Sequence, residues 1–359
     1  MILSINIRWS VKMKILNLWL VLIMISMNAA SITVYDRSVT NTRVGGYMDT
    51  EWHSEGTTNT FKAHRFILQA GSQLSSKVRF NSEVEFEYGG YVTNDDADDT
   101  TQEGEIKIEQ AWVDFDANEN LTLRTGIVLI PVGQLNIYHD SDLRDFTARP
   151  LVNRYIIPTT WMDTGIGGYG ILEFGDVELT YEGYLTNGFV DDNSYSSSSG
   201  TRALRPNFKS DTNQGKAVSG RLGFSPNLNQ AYGLSAYRGN SKQLIVALDG
   251  NYQSGPFGVK GELATYSDGY DNAGEGYYLE AKYNIAPYIN MDSELNLLAR
   301  YEYVDLLAND SSSGQIERTV VGVNIKPVQQ LVYKIAYHFN TNQDSDTNDA
   351  IYASVAVGF

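Results

Sequence analysis

Much of the chain alternates apolar and polar residues with a period of two. In the stretch 78–88, Val78, Phe80, Val84, Phe86 and Tyr88 share one parity, and Arg79, Asn81, Glu83, Glu85 and Glu87 share the other. Leu295, Leu297, Ala299, Tyr301 and Tyr303 alternate in the same way with Asn296, Arg300 and Glu302. Tyr277, Leu279, Ala281 and Tyr283 alternate with Glu280, Lys282 and Asn284, and Leu331, Tyr333, Ile335, Tyr337 and Phe339 with Lys334, Ala336 and His338. A helix would repeat every 3.6 residues, so this pattern predicts strands with one greasy and one wet face. Two candidate strands, 61–69 and 105–115, lose their parity at Arg65 and Glu109, as a β-bulge or a register change would cause.

Counted in this way, the chain from Arg43 onward holds sixteen strands, centred near residues 48, 65, 84, 110, 125, 170, 181, 220, 235, 247, 261, 279, 299, 320, 335 and 354. Short connections (SQLSSK, ANEN, SPNLNQ, QSGP, KPVQQ) alternate with long polar ones (TNDDADDTTQEG, NTNQDSDTND). Short turns at one end and long loops at the other are the habit of a transmembrane β-barrel with both termini on the short-turn side. The last strand carries Ile351, Ala353, Val355, Val357 and Phe359 on one parity. A soluble sandwich would have to cover its sheet edges, and the Tyr-rich outward parities would have no second sheet to pack on.

One connection differs from the rest. Between the strand LTLRTGIVLI and a Gly-rich strand, residues 131–164 mix apolar anchors (Leu151, Ile156, Ile157, Trp161) with the charges Asp140, Asp142, Arg144, Asp145, Arg149 and Arg154. A loop of this length inside an all-strand chain is functional or disordered, and anchors argue against disorder. The expectation is a constriction loop folded into the lumen, acting with Arg124 at its foot. If the parity holds, Arg79, Glu83, Glu85, Arg300, Arg318 and Lys334 belong to the pore wall, where the two signs nearly balance and create a transverse field.

The segment RPLVNRYIIPTTW (149–161), followed by GIGGYG (165–170), resembles the corresponding part of bacterial outer-membrane porins of the phosphate-selective type, porin O/P-like, and their wider relatives. The resemblance covers about forty residues here and otherwise rests on strand pattern and the terminal Phe359. It implies an all-β, antiparallel barrel of sixteen strands, often a homotrimer, whose third outer loop narrows the channel. It also implies that Phe359 is read by the barrel-insertion machinery.

Composition narrows the picture further. Residues 1–31 hold Arg8, Lys12 and Lys14, the apolar run ILNLWLVLIMISM, and Ala29, Ala30 and Ser31, which is the layout of a secretory signal peptide with the mature chain 32–359 starting at Ile32. The run is shorter than the roughly 20 residues a spanning helix needs, and translation could equally start at Met13. Cleavage would remove three of the 27 Lys plus Arg and none of the 43 Asp plus Glu, making a net charge of −16 still more acidic. Nucleic acid is a poor partner for such a surface. With no cysteine, disulfide scaffolds and thiol chemistry are out.

Other motifs dissolve on inspection. The GIGGYG stretch matches the letters of a dinucleotide fingerprint, but the residues after it alternate as a strand where that fingerprint needs a helix. Small residues relieving crowding where the loop meets the wall are the simpler account. Asp344-x-Asp346-x-Asn348 opens like a calcium loop, yet has Asp349 in place of the turn glycine and Val355 in place of the closing Glu. The acidic stretch 94–99 reads as a solvated outer loop, with a loose role in bridging lipopolysaccharide phosphates through cations. His53, His64, His139 and His338 show no metal-site spacing and no triad partner. No metal, no cofactor and no enzymatic activity are therefore expected. The expectation is a Gram-negative outer-membrane porin passing small hydrophilic solutes and ions. The alternatives are an anion- or phosphate-specific channel, and a structural or adhesive barrel with a plugged lumen.

Overall fold

The computed structural model describes residues 41–359 apart from 91–103, 191–194, 197–198, 207, 209–214, 241, 271, 310–313 and 343–347. The signal-peptide expectation, the acidic stretch 94–99 and the Asp344 and Asp346 positions lie outside the described residues. Sixteen strands follow one another: β1 (Asn41–Glu55), β2 (Thr58–Gln73), β3 (Val78–Glu87), β4 (Glu105–Asn118), β5 (Leu121–Leu129), β6 (Met162–Phe174), β7 (Val177–Thr186) and β8 (Ala217–Asn227). The second half comprises β9 (Gln230–Arg238), β10 (Leu244–Ser254), β11 (Phe257–Ser267), β12 (Ala273–Asn284), β13 (Glu294–Asp305), β14 (Gln315–Val328), β15 (Leu331–Asn342) and β16 (Ala350–Gly358). Each strand pairs antiparallel with its neighbours in sequence, and β1 pairs with β16 to close the barrel. Closure leaves no sheet edge unpaired.

The alternation seen in sequence becomes the two faces of the wall. Leu279, Leu297, Tyr301, Tyr333 and Ile335 are exposed, while Glu280, Asn296, Arg300, Glu302 and Lys334 between them are buried. An outward apolar band around an inward polar face is the pattern of a barrel solvated by lipid. Among the described residues no helix is long and apolar enough to cross a membrane. The seam is locked at its end by Phe359, whose N–H donates to Gly46 O at 2.9 Å and whose carbonyl accepts from Gly46 N at 3.1 Å. Its ring stacks on Phe66 at 5.9 Å. Gly46 sits at φ +156°, and a Cβ there would lie 2.0 Å from Ile67 O, so a side chain would push β1 away from β2 beside the seam.

The two broken parities are β-bulges. In the β1–β2 ladder Asp49 faces Arg65 but Glu51 faces Lys62, so β2 carries an extra residue. Phe61 and Ala63 are outward before it and Phe66 and Leu68 after it, which turns His64 and Arg65 inward together. In the β3–β4 ladder Glu83 faces Gln110 and Val84 faces Ile108, leaving Glu109 as the extra residue, fully buried. Each bulge thus adds a charged or titratable side chain to the inner face.

Connections 74–77, 119–120, 175–176, 228–229, 255–256 and 329–330 are short and lie at one end, together with the nine-residue 285–293, while the long connections lie at the other end, together with the two-residue turn 56–57. Counting along the long-loop end, the β5–β6 connection is the third. It spans 130–161, a little less than the expected 131–164, because Met162, Asp163 and Thr164 already pair with β5. The GIGGYG stretch lies wholly within β6, with no helix after it. Its glycines relieve crowding between strands and not against the loop: a Cβ at Gly167 would lie 2.0 Å from Gly183 O and 2.3 Å from the Tyr184 ring.

Candidate functional site

The 130–161 connection is built around two single-turn helices, α1 (Gln134–Ile137) and α2 (Val152–Tyr155). All four sequence-identified anchors, Leu151, Ile156, Ile157 and Trp161, are buried. They join a cluster with Phe189, Tyr195 and Leu204 of the β7–β8 connection and with Tyr237, Ile245, Ala247, Ala264, Tyr266 and Val304 of the wall. Trp161 stacks on Phe189 at 4.5 Å and meets Tyr237 edge-on at 4.7 Å. The inner face of β9 to β13 is therefore apolar near the long-loop end, where a uniformly polar wall was expected. Each fully buried large side chain in such a cluster contributes about 1.5–3 kcal/mol. At the neck, buried Asn136 donates to Ile130 O (2.7 Å) and Trp161 O (3.0 Å) and accepts from Trp161 N (2.8 Å), tying the two ends of the loop together.

Charged wall residues hold the rest of the loop. Arg300 donates to Ala148 O at 2.9 Å and Arg318 to Arg149 O at 2.8 Å, and Lys334 donates to Ser141 O. Glu302 accepts from Leu151 N at 2.7 Å and Glu262 from Leu135 N at 3.2 Å. Lys260 Nζ pairs with Asp145 at 2.8 Å, and Thr147 Oγ1 meets Ser354 Oγ at 2.8 Å. Partners drawn from β11, β13, β14, β15 and β16 share the parity opposite to the exposed apolar one. Arg300, Arg318 and Lys334, expected on the pore wall, face inward and are buried against the loop backbone. Arg300 and Arg318 each pair with Glu302 at 2.7 Å, and Arg300 also reaches Glu280 at 3.1 Å, so removing Glu302 would strand the Arg318 guanidinium while Arg300 keeps one carboxylate.

The wall formed by β2, β3 and β4 is net acidic, with Glu83, Glu85, Glu87 and Glu109 against Arg65 and Lys107. On the wall, Glu85 pairs with Arg65 at 2.8 Å and with Lys107, and Arg65 also reaches Glu87 at 2.9 Å. Glu83 accepts from Gln110 at 2.7 Å. Opposite stands a group of arginines: Arg144 is buried on Ser141 Oγ (2.9 Å) and Thr147 O, and Arg149 donates to Thr159 O at 2.9 Å. Arg202 and Arg205, from the β7–β8 connection, donate to Thr159 O and Thr160 O at 3.3 and 3.2 Å. Arg154 is exposed and lies over the Tyr155 ring. Burial first, then repulsion from Arg65 and Arg144, pushes the Arg149 guanidinium down to about 9. Burial and Arg202 push Arg205 down to about 10. Both stay protonated at neutral pH, so the crowding is expressed as attraction for negative charge.

Among the acidic loop residues, burial alone would raise the Asp145 carboxyl, but Lys260 and then Lys282 reverse this and hold it below the usual carboxylate range. Burial, with Asp140 beside it, raises Asp142. Beneath the loop a cavity of about 340 Å³ is lined by Asp145, Glu280, Lys260, Lys282 and Lys326.

Arg124 and Arg79 are elsewhere. Arg124 forms a two-pronged pair with Asp114 (2.7 and 3.0 Å) and lies 3.8 Å over the Trp112 ring. Arg79 binds Asp116 at 2.6 Å, and Tyr169 donates to Asp114 at 2.7 Å. This cluster lies toward the short-turn end of β4 and β5, with Arg124 the fourth residue of β5 and so set back along the strand from the loop it was expected to join.

No protein-family model matches the chain. A protein of Aquifex aeolicus (strain VF5), described as uncharacterized, is 26% identical over 328 residues, 81% of this chain and 73% of that one. Among solved structures, Salmonella typhi OmpF in complex with daunomycin aligns with a TM-score of 0.60 at 10% identity, over 90% of this chain and 99% of that one. The anion-selective porin from Comamonas acidovorans aligns at 0.58 and 14% identity, over 89% and 100%. Pseudomonas putida OprB in its low-pH form aligns at 0.58 and 8% identity, over 89% and 92%. At such identities the likeness concerns architecture: the chain has the sixteen-stranded barrel fold of bacterial outer-membrane porins.

Proposed function

We propose that the protein is a passive outer-membrane channel through which small hydrophilic solutes and ions diffuse, and that the 130–161 connection narrows it. The observation that carries this reading is the charge across the passage, with a net acidic wall (Glu83, Glu85, Glu87 and Glu109 against Arg65 and Lys107) facing Arg144, Arg149, Arg202 and Arg205 on the two long connections. Opposed charges across a narrow wet passage orient water and penalise apolar solutes without binding any one solute tightly. The reading includes export with loss of residues 1–31, insertion guided by Phe359, contact of the outer loops with lipopolysaccharide, and assembly as a homotrimer. Proteoliposomes carrying the refolded barrel should swell in isotonic solutions of small sugars, at a rate that falls steeply with sugar size. Vesicles that stay impermeable to the smallest sugars would refute the proposal.

A preference for anions is the second reading, favoured by the lysines of the 340 Å³ cavity and by the four loop arginines. The acidic partners of these groups, Asp145 and Glu280 among them, make that preference mild.

A further inference from the structure

The β4 bulge and the loop together place an imidazole between two buried carboxylates. One donor atom each from Glu83, Glu109 and His139 lies within 4.8 Å of the others, and all three residues are buried. We propose that this is a binding site for a divalent transition-metal ion, which pins the 130–161 connection to β3 and β4. The inference stands apart from the channel reading, since a barrel that does not conduct would still bind the metal.

Three observations carry it. First, His139 Nδ1 donates to Asn136 O at 2.9 Å, the orientation in which metal-binding histidines are held by a backbone carbonyl, and this turns Nε2 toward the carboxylates, where a metal ion would take the place of its proton. Second, Nε2 stands 3.4 Å from Glu109 Oε2. A charge-assisted hydrogen bond would be about 2.7–2.9 Å long, whereas two ligands of a tetrahedral ion with bonds of about 2.0–2.1 Å stand about 3.3 Å apart. Third, buried Glu83 Oε1 and Glu109 Oε1 have no hydrogen-bond partner. The nearest cation to the latter is Lys107 Nζ at 3.7 Å. A buried carboxylate oxygen that accepts no hydrogen bond is costly, and a bound cation offsets that cost. Asp140 Oδ1, 3.6 Å from Nε2 on a side chain 24% exposed, supplies both a fourth donor and a way in from solvent.

The donor set of one imidazole and two or three carboxylates suits zinc-like ions better than magnesium or calcium, which prefer oxygen alone. The other His-carboxylate group, Asp49, Glu51 and His64, is different. There His64 Nδ1 already lies at hydrogen-bonding distance from both carboxylates, 2.9 and 3.1 Å, so it serves as the control.

The test is equilibrium dialysis of chelator-stripped, refolded full-length barrel against zinc in excess magnesium, with folding verified by heat-modifiable gel mobility. Wild type should take up one equivalent at micromolar zinc. The variants Glu83→Gln and His139→Gln should each bind at least about tenfold more weakly, while His64→Gln keeps the equivalent. Either of the first two variants suffices if the other fails to fold. The proposal is overturned if wild type binds nothing at micromolar zinc, if the equivalent survives both Glu83→Gln and His139→Gln, or if only His64→Gln removes it.

Discussion

Replacing Trp161 with alanine should release the 130–161 connection while leaving the barrel closed. The indole is fully buried between Phe189 and Tyr237, at ring distances of 4.5 and 4.7 Å, at the point where the loop rejoins the wall. Truncations of this kind cost about 3–5 kcal/mol, of which ring stacking supplies roughly 1 kcal/mol per contact. Because Trp161 precedes the first residue of β6, the loss falls on docking of the loop and not on strand pairing. At about 1.4 kcal/mol per tenfold, the docked-to-undocked ratio falls roughly a thousandfold. When opening and closing are fast, proteolysis reports the population of the open form. The assay is therefore the initial rate of protease cleavage within 130–161, alongside heat-modifiable mobility of the uncut barrel. Trp161→Ala should be cut about a thousand times faster, and Trp161→Phe, which keeps a ring in the stack, within about tenfold of wild type. A Trp161→Ala rate less than tenfold above wild type would refute the claim that this cluster docks the loop.

Asn136→Ala leaves the buried Trp161 N–H without its acceptor, while the Ile130 and Trp161 carbonyls each keep a backbone donor; it costs about 1–3 kcal/mol and should be visible as faster cleavage of the same loop. Asp145 has a carboxyl lowered on folding, so its contribution is complete above the unfolded value and is lost as pH falls through the folded one. In Lys260→Met the acid pH at which loop protection is lost should therefore move upward; an unmoved midpoint would show that the pair does not hold the loop. Alanine at Arg144, Arg149, Arg154, Arg202 and Arg205 together should shift the reversal potential toward cations by a few kT at most. Exposed Arg154 alone should contribute least to that shift, which single-variant recordings would check.

The wall was legible because lipid and water impose opposite demands on alternate residues, and a bulge shows as the residue where parity fails. Arg65 and Glu109 marked the two bulges for that reason. The loop anchors were legible as apolar residues with no strand pattern to account for them. The apolar interior at Ile245 and Ala247 left a fainter trace, since 244–248 is apolar on both parities, as strands buried on both faces are. Long-range partners left no trace. Arg202 and Arg205 join Arg149 only because the β7–β8 connection packs on the loop. Nothing near position 139 announces Glu83 or Glu109, and Asn136 looks like any polar loop residue. Arg124 adjoins the loop in sequence, but a strand rises about 3.3 Å per residue, and Asp114 lies directly across the ladder from it.

The most direct test of the account is single-channel conductance of the refolded protein in a planar bilayer under a salt gradient. The account predicts stepwise ohmic currents with weak ion preference, and a larger step in the Trp161→Ala variant than in wild type. A bilayer that stays silent with correctly folded barrel, or steps identical in size and selectivity in the two proteins, would contradict it.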